Sequence, residues 1–319
     1  MPLKMDPEWR KAMEPFFANS AANPRPPITD PLEMRPVVEA SLRNCLSVLP
    51  EYPDVEQEVH HITSYDGASI PVYRFWKKGD ASKLGPAIVH AHGGGNILGD
   101  VQMHGTYLAQ QIHQHGVQLF SVEFRLAPEH PFPTPVEDCY AALAWVNKHA
   151  DQFAIDPHRI GVMGESGGGN LAAGMTLMAR DRGLSPPVAK QFLIYPMLDD
   201  RNTGPCPALK DLLMWTPESS IVVWGTYLGA NFGTDHVSQY AAPARAASVE
   251  GLPPTYMELS NLDIFRDEGL KYASRIAAAN IEVEIHVYPG LPHGYDIFAP
   301  LCAPSQRAIS DRVRAVSTL

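Results

Sequence analysis

Residues 159–170 read Arg-Ile-Gly-Val-Met-Gly-Glu-Ser-Gly-Gly-Gly-Asn, an apolar run ending in a serine set among glycines. Ile160, Val162 and Met163 form a short strand pattern. Leu171, Met175 and Met178 then recur at i, i+4 and i+7, a helical spacing that Gly183 closes. A strand turning at once into a helix holds the residue at the turn in an unfavourable φ/ψ region, so its neighbours must be tiny. Gly164, Gly167, Gly168 and Gly169 leave that room around Ser166. A G-x-S-x-G pattern in this setting aims the serine hydroxyl outward, with the unpaired N–H groups of a helix start behind it.

The alternation continues on both sides. Strand patterns begin at Val55 and run over 68–76, with Asp66-Gly67 as the turn between them, and Pro71 suits a strand start or an edge. Further apolar runs lie at 87–91, 117–124, 189–196, 254–260 and 283–289. Helical spacing covers 135–149, 170–182 and 268–279, and a last helix begins near Ser305. Strands separated by helices imply an α/β fold, a mostly parallel central sheet with helices on both faces.

Two segments fall outside this rhythm. Residues 1–50 are rich in proline, with short helices and the aromatics Trp9, Phe16 and Phe17; residues 197–252 hold no strand pattern but carry Trp215, Trp224, Tyr227, Phe232 and Tyr240. The second is too long for a plain connection and is expected to be a helical lid. The expected organisation is therefore a cap made of 1–50 and 197–252 over a core made of 51–196 and 253–319.

Composition narrows the function. With 45% hydrophobic residues and a formal charge of −10, the chain is neither disordered nor a phosphate-tracking nucleic-acid binder. No apolar run approaches the roughly 18 residues that span a bilayer. The four cysteines are scattered without a C-x-x-C pair, as for free thiols in a reducing compartment. The N-terminus has no apolar core or cleavage site of a secretory signal, so a cytoplasmic setting is expected. An exposed sheet edge would allow a homodimer, although nothing specifies it.

A serine hydroxyl attacks a carbonyl only when an imidazole takes its proton, and that imidazole needs a carboxylate to fix its tautomer. Asp263 follows the run at 254–260, and His293 follows the run at 283–289 beside Gly294. Both lie past strand ends, where sites on open α/β sheets collect. Asp267 and Glu268 are rival acids, but they sit in the first turn of a helix, where acids serve as dipole partners. The oxyanion formed in acyl transfer needs fixed N–H donors, each worth roughly 3–4 kcal/mol. His92-Gly93-Gly94-Gly95 follows a strand, and its glycines let a loop turn two amides to one point. Gly94, Gly95 and Gly167 are the expected donors, with His92 and Gly93 supporting the loop. His90 and His92 lack a third partner spaced to hold a metal, and neither glycine cluster has a phosphate-loop pattern. The chemistry needs no cofactor or metal.

Together these motifs resemble the hormone-sensitive-lipase-like esterases, bacterial family IV of the α/β-hydrolase fold, over about Val55 to Gly294. HGGG stands at 92–95, Phe124-Arg125-Leu126-Ala127-Pro128-Glu129 with Phe132-Pro133 and Glu137-Asp138 looks like the family's Y-R-L-A-P-E block, and GESGGGN stands at 164–170. The resemblance implies an α/β-hydrolase fold with a helical cap, a Ser166–His293–Asp263 triad, and hydrolysis of carboxylic esters; the large cap, by limiting access, leads to the expectation of short to medium acyl groups. Small-molecule esters would be the substrates, with no nucleic acid or membrane involved. Glu165 stands where Asp or Thr is usual, Gly167 replaces Ala, Phe124 replaces Tyr, and Ile264-Phe265 replaces Pro-Leu. Arg125, Glu129, Glu137 and Asp138 are read as one structural polar network. Glu165, Trp215, Trp224 and Phe232 are expected at the substrate pocket, with Trp9, Phe16 and Phe17 helping to wall it. An amidase, lactonase or acyltransferase would share the acyl-enzyme step, and a ligand-binding receptor derived from a hydrolase is the remaining alternative.

Overall fold

A computed structural model of the chain describes residues 3–23, 29–204 and 206–319. Three helices open it: α1 (Pro7–Ala12), α2 (Glu14–Ala22) and α3 (Pro31–Leu46). Asp6 and Asp30 cap α1 and α3 by accepting first-turn N–H groups, and proline stands in the first turn of both, where its missing donor costs nothing. The order then runs β1 (Val55–Thr63), β2 (Ser69–Lys77), β3 (Gly85–Ala91), α4 (Gly105–His115), β4 (Gln118–Val122), α5 (Thr134–Lys148), β5 (Ile155–Glu165) and α6 (Gly167–Asp181). After β6 (Lys190–Ile194) come α7 (Pro217–Leu228), β7 (Thr255–Leu262), α8 (Arg266–Ala278), β8 (Val283–Pro292), α9 (Tyr295–Phe298) and α10 (Ala303–Val316).

The eight strands form one sheet in the order β1-β2-β4-β3-β5-β6-β7-β8. β1 and β2 pair antiparallel, as do β2 and β4; all other neighbours are parallel. β4 and the Ala87–Ala91 part of β3 are buried throughout and mainly apolar, with His90, Gln118 and Ser121 the polar exceptions, whereas the edge strand β1 alternates. Along β7, Glu258 turns to α10 and the next residue, Leu259, meets α8, so helices cover both faces. Gly67, at φ +87°, makes the β1–β2 turn, and Pro71 precedes the β2–β4 ladder, which starts at Val72.

Two expectations need correction. Helix α4 has no counterpart in the sequence reading, because Gln110, Gln111, His113 and His115 dilute its apolar stripe of Tyr107, Leu108 and Ile112. The parallel pair β3–β4 nevertheless requires such a crossover. Residues 197–252 are not mainly helical: they contain α7, two single 3₁₀ turns and otherwise irregular chain. Proline and glycine prevent a longer helix there, and side chains satisfy the backbone instead. Glu268 accepts the Leu198 N–H at 2.6 Å, and Arg245 grips Asp200 at 2.6 and 2.8 Å.

Just past β4, Glu123 accepts the Val101 N–H at 3.0 Å, and burial pushes its carboxyl up to about 7. The folded state therefore holds the proton more tightly than the unfolded chain, and stability falls as pH rises from about 4.5 to about 7. Glu123→Gln keeps an acceptor and removes the charge. We expect it to gain about 1–2 kcal/mol at about pH 8 and little at about pH 4.5 in urea titrations. An equal effect at both pH values would contradict the assignment.

Candidate active site

Ser166 sits between β5 and α6 with φ 55° and ψ −116°, a strained conformation for a residue with a side chain. Its backbone is held on three sides: its N–H donates to Ile194 O at 2.9 Å, and its carbonyl accepts from Asn170 N at 3.0 Å and Met197 N at 3.1 Å. The glycines around it permit close approach. A Cβ on Gly168 would lie 1.9 Å from Ala91 O, and one on Gly164 2.2 Å from Gly168 O.

Past the end of β8, His293 Nε2 lies 2.8 Å from Ser166 Oγ, and its Nδ1 lies 2.6 Å from Asp263 Oδ2. Asp263, past the end of β7, is fixed through Oδ1 by the Phe265 N–H at 3.0 Å. Its carboxylate is buried and the imidazole nearly so, which shields the hydrogen-bonded line from water. Tyr195 and Phe265 meet the imidazole edge to face at 4.9 and 5.1 Å. Asp267 does not compete for the ring, because it pairs with Arg266, and Glu268 serves the loop at Leu198.

The glycine turn at 93–95 reaches the same point. Gly94 has φ +123° and Gly95 φ +60°, and a Cβ on Gly167 would lie 2.6 Å from Gly95 N, so the two glycine segments touch. The N–H groups of Gly94 and Gly95 meet no acceptor among the described residues, and the N–H of Gly167 is free by its place in the first turn of α6. Asn96 ties the turn to α6 by donating to Asn170 Oδ1 at 3.3 Å. His92 stacks on Phe124 at 4.4 Å and His104 at 5.2 Å, with Nδ1 donating to Gly93 O at 2.7 Å. Burial and the neighbouring His104 hold His92 well below the usual histidine range, so it braces the turn as a neutral ring.

A cavity of about 80 Å³ opens on Ser166. Trp215 lines it, with its ring 6.2 Å from that of His293. Glu165 borders it, but its carboxylate turns away to His90 Nε2 at 2.8 Å, and His90 Nδ1 lies 2.9 Å from Ser121 Oγ. Trp224 and Phe232 do not reach the cavity: Trp224 is fully buried beside Tyr227, and Phe232 packs over Gly225. Trp9 is also core, donating to Tyr295 O at 3.0 Å, with Phe17 packed edge to face on it, while Phe16 lines a separate outer groove. Arg125, Glu129, Glu137 and Asp138 form three clusters rather than one network. Arg125 bridges Asp138 and Asp66, Glu129 pairs with Arg35, and Glu137 pairs with Arg182.

The sequence reading missed the floor under His293. Arg312 on α10 is fully buried and donates to Glu258 Oε1 at 2.9 Å, Glu258 Oε2 at 2.8 Å and Asp296 Oδ2 at 2.8 Å. Tyr107, Tyr195 and Tyr295 complete the cluster, Tyr195 by donating to Asp296 Oδ1 at 2.6 Å. Glu258 lies on the strand leading to Asp263, and Asp296 three residues after His293, so one guanidinium ties both loops together. Val38 and Leu42 of α3, which also line the cavity, were not anticipated either.

The fold and the site together define a hydrolase built on a parallel sheet with a nucleophile at a strand-to-helix turn. The chain belongs to the alpha/beta hydrolase fold family, whose profile matches residues 88–297. Over 277 residues it is 36% identical to the carboxylesterase NlhH of Mycobacterium tuberculosis, the match taking in 82% of each chain. Over 210 residues it is 35% identical to the esterase LipI of the same organism, covering 66% of this chain and 65% of LipI. Its structure is similar to that of a bacterial heroin esterase, with a TM-score of 0.85, 34% identity and coverage of 99% and 98% of the two chains. The resemblance to the hormone-sensitive-lipase-like esterases holds.

Proposed function

We propose that the protein is a serine carboxylesterase that cleaves esters of short to medium acyl groups through an acyl-enzyme. The observation that carries this reading is the continuous line Asp263–His293–Ser166, which opens on a cavity beside the free N–H groups of Gly94, Gly95 and Gly167. The relatives called esterase and carboxylesterase support the ester as the bond attacked.

His293 Nε2 takes the Ser166 proton as Oγ attacks the carbonyl, and the charged ring is stabilised by Asp263. The negative oxygen settles on the three glycine amides, which are fixed before the reaction and need no reorganisation. His293 then protonates the leaving alcohol, and water repeats the sequence on the acyl-enzyme. Residues 1–50 and 197–252 serve as the cap, supported by the packing of α3 on α7 and α9 and by Val38 and Trp215 at the cavity. The reading also includes a cytoplasmic setting, supported by four unpaired cysteines, and pairing of two copies along a free sheet edge.

The test compares p-nitrophenyl acetate and butyrate with p-nitroacetanilide before and after treatment with a fluorophosphonate. We expect turnover of both esters, at least about a hundredfold less of the anilide, and complete loss of activity at one equivalent of reagent. Preference for the anilide, or ester turnover that survives stoichiometric labelling, would contradict the reading.

A further inference from the structure

We propose that the enzyme is built for short-chain esters of bulky, uncharged, apolar alcohols; this rests on the esterase reading above and adds the shape of the substrate. Two spaces of very different size lie side by side, and Ser166 borders the smaller. The inner cavity measures about 80 Å³, about half the roughly 150 Å³ of an apolar cavity that holds benzene. It must also hold the reacting carbonyl. An acetyl to butyryl group is contained within it; a benzoyl or octanoyl group must extend beyond it.

Beyond it lies a groove of about 1670 Å³ along α2 and α3, closed on the far side by the residues around Trp215 and by those following α9. Val38, Trp215 and Phe298 border both spaces, so the two adjoin across these three side chains. Glu218 is the one charged side chain among the described residues that line the groove, so its walls favour neutral apolar groups over ions.

Proton transfer decides which half of the ester lies where. His293 Nε2 must hand its proton to the alcohol oxygen, so the alcohol leaves on the imidazole's side. That side carries Trp215, next to the ring, and Phe298, five residues along the chain, and both open to the groove. The acyl substituent takes the remaining side, toward Leu42, Leu98 and His104, which border only the small cavity.

Two ester series test this in the full-length protein. With p-nitrophenol as the constant leaving group, kcat/KM is expected to fall by roughly tenfold or more from butyrate to octanoate and to benzoate. With acetate as the constant acyl group, it is expected to rise by roughly tenfold from phenyl to 2-naphthyl and 4-biphenyl acetate. Leu42→Ala should raise the octanoate-to-acetate ratio about tenfold, and Ala40→Trp, on the exposed side of α3 in the groove, should lower the biphenyl-to-phenyl ratio by about the same factor. Preference for octanoate, indifference to alcohol size, or ratios unmoved by both variants would overturn the proposal while leaving the esterase standing. Inertness of the folded protein toward every ester would instead remove the reading beneath it.

Discussion

Ser166→Ala is expected to lower kcat on p-nitrophenyl acetate by about 10⁵-fold or more, with the folded state retained. The size of the effect follows from the unit the three side chains form: without the hydroxyl there is no oxygen to acylate, so the base and its carboxylate have nothing to activate. The fold should persist because the bonds that hold this turn are backbone bonds, to Ile194, Asn170 and Met197. Alanine keeps all three, and its Cβ occupies the space of the serine's. What disappears is the hydrogen bond between Oγ and His293. Circular dichroism and a melting curve close to wild type, with turnover near the uncatalysed rate, would agree; activity within tenfold of wild type would not.

Arg312→Met is expected to cost about 3–5 kcal/mol of stability, the usual penalty for removing one partner of a buried ion cluster. The guanidinium neutralises two carboxylates, Glu258 and Asp296, which are both fully buried. Methionine fills much of the volume but leaves both acids facing each other without a cation, supported only by tyrosine hydroxyls. Adding Glu258→Gln and Asp296→Asn to Arg312→Met should recover at least about 1 kcal/mol, because the uncompensated charge is then gone. Urea titrations of the single and triple variants measure both steps. A loss below about 1 kcal/mol in the single variant would show that the cluster is not an electrostatic anchor.

The sheet was legible because its central strands are buried on both faces and mainly apolar, as Ala87–Ala91 and Gln118–Val122 illustrate, with His90, Gln118 and Ser121 the exceptions. Ser166, Asp263 and His293 were legible for a different reason. Each stands immediately past a strand end, and the glycines beside Ser166 have no purpose except close approach. Arg312 escaped notice although a signal existed: it interrupts the stripe of Ala308, Ile309, Ala315 and Val316 on α10, where a charge has no business unless it is paired.

The pocket walls were less legible, and packing explains why. Trp215 and Trp224 look equivalent in sequence, yet one borders the cavity and the other is locked in the core by α7. Which side of a cap helix faces a nucleophile depends on packing from remote segments, here α3 and α9, and no local periodicity encodes it. Glu165 does border the cavity, but where its carboxylate points was hidden for a related reason. Its neighbour in sequence is the nucleophile, but its partner in space is His90, 75 positions away.

Catalysis by this triad requires a covalent intermediate at one oxygen. The direct measurement is acid quenching during turnover of p-nitrophenyl acetate, followed by peptide mapping of the protein by mass spectrometry. An acetyl group on the peptide containing Ser166, formed as fast as the first p-nitrophenol is released and absent from Ser166→Ala, is the predicted result. First-turnover release of p-nitrophenol with no acyl group on that serine, or with the acyl group on another residue at the same rate, would contradict it.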